Sequence, residues 1–213
     1  MERNALIMGD SYSTFAGFIP EGYAAYYSEE MLPENDVCQV EQTWWHSLIT
    51  QIGANLALND SWSGSTISYA GRSGDCSETS SFIARLHKLQ KEGFFDSHDI
   101  NTVFVFGGTN DSWINTPLGE LKYENAEKQE LFEVLPAVGY FLKELRSTLP
   151  NAEIYCLINT ELNPKIAEAM KTACEVCNIT AIAFDKIDKR RGHPTVQGMQ
   201  DIKNQILPYL CEK

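Results

Sequence analysis

Ala5-Leu-Ile-Met-Gly-Asp-Ser-Tyr12 is the stretch whose reading decides the fold. Ala5 to Met8 is a short apolar run of the kind that forms a buried strand, and Gly9 punctuates its end. Gly9-Asp10-Ser11 then sets a serine in the turn that leaves that strand. In open α/β sheets ligands bind at the carboxyl ends of the strands, so this hydroxyl is a candidate nucleophile. A serine attacks poorly unless a base takes its proton. The best candidate for that base lies at the other end of the chain, in Gly192-His193-Pro194-Thr195.

Outward from that stretch, strand-like and helix-like segments alternate, which argues for one α/β domain over residues 1–213. Asn55 to Leu58, Thr102 to Phe106, Ile154 to Ile158 and Ile179 to Phe184 read as further strands. Thr102-Val-Phe-Val-Phe106 is the apolar, β-branched and aromatic run expected of a central parallel strand. Helical spacing is found in Glu41 to Ile52, Ser80 to Lys91, Ala126 to Leu149 and Asn163 to Cys177, and a closing helix runs to about Leu210. Pro136 is expected to break or kink the long third helix, and Thr195 to cap the last one. Phe15 to Gln39 has no sustained period; loops of that length in compact domains are usually functional, and this one should lie over Ser11.

Two more stretches follow strand-like runs, Asn59-Asp-Ser-Trp-Ser-Gly64 and Gly107-Gly-Thr-Asn-Asp111. With the Ser11 and His193 stretches they stand in an order that resembles the SGNH (GDSL-type) hydrolases, over residues from about 5 to about 200. The resemblance implies a flavodoxin-like three-layer sandwich whose five parallel strands are ordered 2-1-3-4-5. It also implies Ser11 as nucleophile and His193 as base. The backbone N–H groups of Ser11 and Gly64, with the Asn110 side chain, would form the oxyanion hole. The family's acid usually lies three residues before the histidine, where this chain has Arg190. Asp188, five residues before His193, is the nearest upstream acid and the expected orienting group. Otherwise a Ser–His dyad would operate, with a backbone carbonyl such as that of Arg190 fixing the tautomer. Asp10 reads as a structural turn residue.

A formal net charge of -12 disfavours nucleic acid and anionic membranes as partners. No apolar run is long enough to span a bilayer, and no leader precedes the first strand, so the chain as written reads as cytoplasmic, or as secreted or periplasmic if a leader was removed. Cys174-x-x-Cys177 sits late in a helical pattern without a second cysteine pair, which argues against a metal or redox site. No cofactor is called for. Trp44, Trp45, Trp62 and Trp113 lie in or near segments bordering the site, and Trp62 and Trp113 are the candidate substrate-binding residues; aromatic walls suit sugar rings and acyl chains alike. The expectation is therefore a serine esterase acting on a small-molecule or carbohydrate ester, most simply an acetyl ester of a sugar. Thioesterase or lysophospholipase activity, or a non-catalytic carbohydrate-binding protein on the same fold, are the alternatives. The sequence gives no oligomeric state.

Overall fold

The computed structural model describes residues 3–211; Met1, Glu2 and positions 212–213, which the single-domain reading includes, lie outside the described residues. Five strands, β1 (Asn4–Gly9), β2 (Asn55–Ser61), β3 (Thr102–Phe106), β4 (Glu153–Ile158) and β5 (Thr180–Ala183), form one parallel sheet. Their order is β2-β1-β3-β4-β5, the arrangement expected from the resemblance. Alternate residues of the strands enter opposite cores, as the two-residue period of a strand requires. Leu6, Met8, Val103, Val105, Ile154 and Cys156 pack on one face against α2 (Phe82–Lys91), α4 (Val134–Thr148) and α5 (Pro164–Val176). Ala5, Ile7, Phe104, Phe106, Tyr155 and Leu157 pack on the other against α1 (Trp44–Ile52) and α6 (Val196–Cys211). Strands covered on both sides are apolar throughout, which is why the runs read so clearly in the sequence.

Register brings the site together. Gly9 lies level with Ser61 of β2 and with Phe106 of β3. Ser11, Gly64 and Asn110 therefore leave the same sheet edge within a few residues of three adjacent strand ends.

Three boundaries differ from the sequence reading. Thr43, extended at ψ 148°, interrupts the expected helix over 41–52; its hydroxyl caps α1 by accepting from the His46 N–H. The expected long helix over 126–149 is a short 3-10 turn, Glu130–Phe132, followed by α4. Pro136 does not kink α4, because it falls in the first turn, where a missing N–H costs no intrahelical bond. β2 continues to Ser61, where polar side chains find buried partners: Asn59 donates to the Ser13 carbonyl at 2.9 Å and Ser61 to Asn59 at 2.6 Å. Thr195 does cap α6, accepting from the Gly198 N–H at 3.1 Å.

Candidate active site

Asp10 follows β1 and starts the turn that carries Ser11. Its carboxylate accepts from the Tyr12 N–H at 3.0 Å, capping the 3-10 turn Ser11–Ser13. Burial pushes the Asp10 carboxyl up to about 7, against the lowering effect of that Tyr12 bond. Ser11 is 2% exposed, and its Oγ lies 3.0 Å from Nε2 of His193. That distance puts a hydroxyl proton within reach of an imidazole lone pair.

The opposite wall comes from the loops after β2 and β3. Gly64 holds φ at 82°, a left-handed conformation that disfavours a side chain. Among the described residues, neither its N–H nor that of Ser11 has a hydrogen-bond acceptor. The third donor is on α3 (Thr109–Trp113), which begins directly after Gly108. Asn110 is 1% exposed there; its Nδ2 donates to the Ser65 carbonyl at 3.0 Å, which leaves one amide proton unassigned. Its Oδ1 accepts from Nε and Nη2 of Arg72 at 3.2 and 3.1 Å. A donor on the oxygen and an acceptor on the nitrogen fix which way the amide faces.

Two buried charges lock those loops. Asp111 accepts from the N–H groups of Ile67 and Ser68 at 2.8 and 3.1 Å and from the Ser68 hydroxyl at 2.7 Å. It thereby ties the Gly64 loop to α3, and burial pushes its carboxyl upward in spite of those bonds. Arg85 on α2 is fully buried, paired with Asp60 at 2.8 Å, and donates to the Gly9 carbonyl at 3.1 Å and to the Ser65 hydroxyl at 3.4 Å. Removing one member of such a pair leaves an uncompensated buried charge and typically costs about 3–5 kcal/mol.

His193 arrives differently. It stands ten residues beyond β5, in a two-residue antiparallel ladder with Arg190, after Arg191 and Gly192 turn the chain with φ of 49° and 83°. Tyrosine hydroxyls from the other end of the chain pin this segment: Tyr12 donates to the Gly192 carbonyl and Tyr27 to the Pro194 carbonyl at 2.8 Å. The imidazole lies in an aromatic clamp. Tyr26 stacks on it at 3.6 Å between ring centroids and 7° between planes, while Trp113 stands edge-on at 5.4 Å and Tyr12 is tilted at 5.5 Å.

No hydrogen bond among the described residues joins Asp188, the expected orienting acid, to His193. Its carboxylate accepts from the Thr195 hydroxyl, at the start of α6, and the residue is exposed. The Asp188 carbonyl also accepts the Thr195 N–H at 3.1 Å, so the short loop closes on itself and turns the carboxylate away from the ring. Nδ1 of His193 is buried and makes no well-formed hydrogen bond among the described residues. Burial, followed by the charges of Arg72 and Lys189, lowers the imidazole to about 4; the Arg191 main chain acts in the opposite direction and recovers part of the shift. His193 is therefore neutral at pH 7, in the form a base needs.

Ser11, Gly64, Asn110 and His193 line a cavity of about 640 Å³ together with Tyr26, Ser63, Arg72, Trp113, Arg191 and Gly192. Of the two tryptophans expected at the substrate, Trp113 is on this wall, 39% exposed, and Trp62 is not. Trp62 instead pairs with Tyr23 of the 15–39 loop at 4.2 Å. Trp44 and Trp45 are core residues of α1. Among the described residues no group of three or more His, Cys, Asp or Glu could hold a metal, and no helix is long and apolar enough to cross a membrane. Tyr26, Arg72, Arg85 and the locking role of Asp111 carry no signal in the sequence: each acts through a contact made by loops or helices distant along the chain.

The comparisons with known proteins bear on the same constellation. The GDSL-like lipase/acylhydrolase profile matches residues 3–210. A protein from Bacteroides ovatus described as a GDSL-like lipase is 37% identical, with a TM-score of 0.91 over 100% of both chains. One from Bacteroides uniformis, described in the same way, is 38% identical, with a TM-score of 0.88 over 98% of this chain and 95% of its own. A carbohydrate acetylesterase from Sinorhizobium meliloti shares the fold at 15% identity, with a TM-score of 0.58 and 98% of each chain covered. No curated protein sequence matches at a significant level. With a serine and a histidine in contact at the edge of such a sheet, and a family match that spans them both, the chain belongs to the GDSL-like lipase/acylhydrolase family and is an ester hydrolase.

Proposed function

We propose that the protein is a serine esterase that works through an acyl-enzyme on Ser11, with His193 as base and no carboxylate behind it, on a short-chain ester of a carbohydrate. The observation that carries this reading is the 3.0 Å contact between Ser11 Oγ and His193 Nε2, facing the unpaired N–H groups of Ser11 and Gly64 and the Asn110 amide across one cavity. As Ser11 attacks the ester carbonyl, its proton passes to Nε2. The oxygen of the tetrahedral intermediate takes hydrogen bonds from the two N–H groups and from Asn110. Collapse expels the alcohol, protonated by the imidazolium. Water, activated by the same nitrogen, then releases the acid and frees Ser11.

In this reading the aromatic clamp does part of what an orienting acid would do. Tyr26, Trp113 and Tyr12 restrict the ring, and the neutral imidazole persists to low pH. Arg72 is a positioning residue: by holding Oδ1 of Asn110 it aims the amide protons. A short acyl group is favoured because, among the described residues, no aliphatic side chain lines the cavity, whereas a long chain needs an apolar groove. The exposed face of Trp113 suits a sugar ring, and the fold-level likeness to carbohydrate esterases is consistent with one. The test is acetate release from acetylated mono- and oligosaccharides beside esters of longer acids, with labelling of Ser11 by a fluorophosphonate. Labelling lost in Ser11→Ala, with acetyl esters preferred, supports the reading. A wild-type protein that is neither labelled nor active on any ester overturns it.

A further inference from the structure

The cavity around Ser11 has a charge opposite to that of the chain. The protein carries 29 acidic against 17 basic residues, yet among the described residues the cavity lining includes two arginines, Arg72 and Arg191, and no carboxylate. Arg72 sits at the tip of a small hairpin, between Ala70–Gly71 and Gly74–Asp75, and reaches back over the site. One edge of its guanidinium is engaged by Asn110 Oδ1, and its plane lies over the Trp113 ring with 5.6 Å from Cζ to centroid. Among the described residues it has no carboxylate within 4.0 Å, and Nη1 makes no hydrogen bond. Among the described residues the carboxylate near Arg191 is that of Glu34, at 3.9 Å, and the Arg191 side chain is itself 76% exposed. Two other cations stand near His193 and both have carboxylate partners: Lys189 is paired with Glu161 at 3.1 Å and bonded to Thr160 at 2.7 Å, and Arg190 meets Asp36 at 3.9 Å.

A guanidinium that lines a cavity and has no carboxylate partner is matched by a planar carboxylate, which can take two parallel N–H bonds from one of its edges. From this geometry we propose that the substrate of the esterase site carries a carboxylate on its alcohol part, as an acetylated uronic acid does, held by Arg72 with Arg191 as the second cation. The inference rests on the esterase reading above and names the substrate class for it. It also accounts for the missing acid. His193 must become positive during the reaction, with no protein carboxylate against it and with the Arg72 charge opposing it. A substrate carboxylate on Arg72 neutralises that cation at the moment the imidazolium forms, so the carboxylate contributes to turnover as well as to binding.

The experiment compares an acetylated methyl glucuronoside with the methyl ester of the same compound, across the 2-, 3- and 4-O-acetyl isomers, reading acetate release. The two differ by one methyl group, which removes the charge and blocks one carboxylate oxygen. For at least one isomer, kcat/KM should favour the free carboxylate by roughly ten- to a hundred-fold at low ionic strength, with part of the gain in kcat. The preference should shrink in 0.5 M salt. It should fall toward one in Arg72→Gln, whose amide can still reach Asn110, and fall less in Arg191→Gln. Equal or better turnover of every neutral methyl ester, in a protein that hydrolyses 4-nitrophenyl acetate, overturns this inference and leaves the esterase reading standing. Absence of both 4-nitrophenyl acetate hydrolysis and fluorophosphonate labelling overturns the two together. Should Arg72→Gln fail to fold, the salt dependence and Arg191→Gln still decide.

Discussion

The two halves of the candidate catalytic edge are built on different principles. The half that holds Ser11, Gly64 and Asn110 grows from three adjacent strands whose ends are level at Gly9, Ser61 and Phe106. It is locked underneath by the buried Asp111 and Arg85. The half that holds His193 hangs from an irregular segment ten residues past its strand, fixed by tyrosine hydroxyls and by a ring stack. Backbone register and satisfied buried charges make the first half a rigid polar template, as electrostatic stabilisation of a developing oxyanion requires. In the second half, aromatic packing and partial burial of the ring favour the neutral imidazole, against the opposing effect of the Arg191 main chain.

Breaking the rigid half should cost most. Asn110→Ala should lower kcat by about 100- to 1000-fold with little change in KM, as expected for a donor used mainly in the transition state; steady-state kinetics on a chromogenic acetate checks it. Asp111→Ala leaves two buried N–H groups without acceptors, so it should destabilise the fold by about 3 kcal/mol and lower Tm by roughly 6–12 °C in a thermal melt. A melt unchanged from wild type would remove Asp111 from its locking role.

The clamped half should respond more gently and in a different observable. With His193 at about 4, below the ordinary 6.5, the base stays deprotonated as pH falls, so kcat/KM for a neutral ester should hold level down to about pH 5 and drop with a limb near pH 4. Tyr26→Leu opens one face of the ring to water. It should lower kcat/KM by about three- to ten-fold and move that limb upward, toward 6.5. A loss of rate with the limb unmoved would mean that Tyr26 serves packing alone.

The same contrast governs what could be read from the sequence. Ala5–Met8 and Thr102–Phe106 announce strands because both of their faces are buried, and the turns that follow carry their polar residues at fixed offsets from the strand ends. The placement of Ser11, Gly64 and Asn110 at one sheet edge is therefore legible, and so is the strand order through the family resemblance. His193 was legible as a motif, but its surroundings were not. Asp188 was the expected partner from proximity in sequence, yet a local bond to Thr195 turns its carboxylate away. Tyr26, the ring that does stack on His193, sits 167 residues earlier in a stretch without periodicity. Trp62 looked like a pocket wall because of its place in the block, and the loop at Tyr23 covers it instead. Pro136 failed as a helix breaker only because the helix begins just before it.

In the proposed mechanism His193 serves Ser11 without a carboxylate behind it. The direct test is turnover of 4-nitrophenyl acetate by Asp188→Asn beside His193→Ala and Ser11→Ala. The account predicts that the last two abolish activity while Asp188→Asn stays within about three-fold of wild type. A loss near the ~10,000-fold scale seen when a triad acid is neutralised would contradict it and return Asp188 to the catalytic machinery.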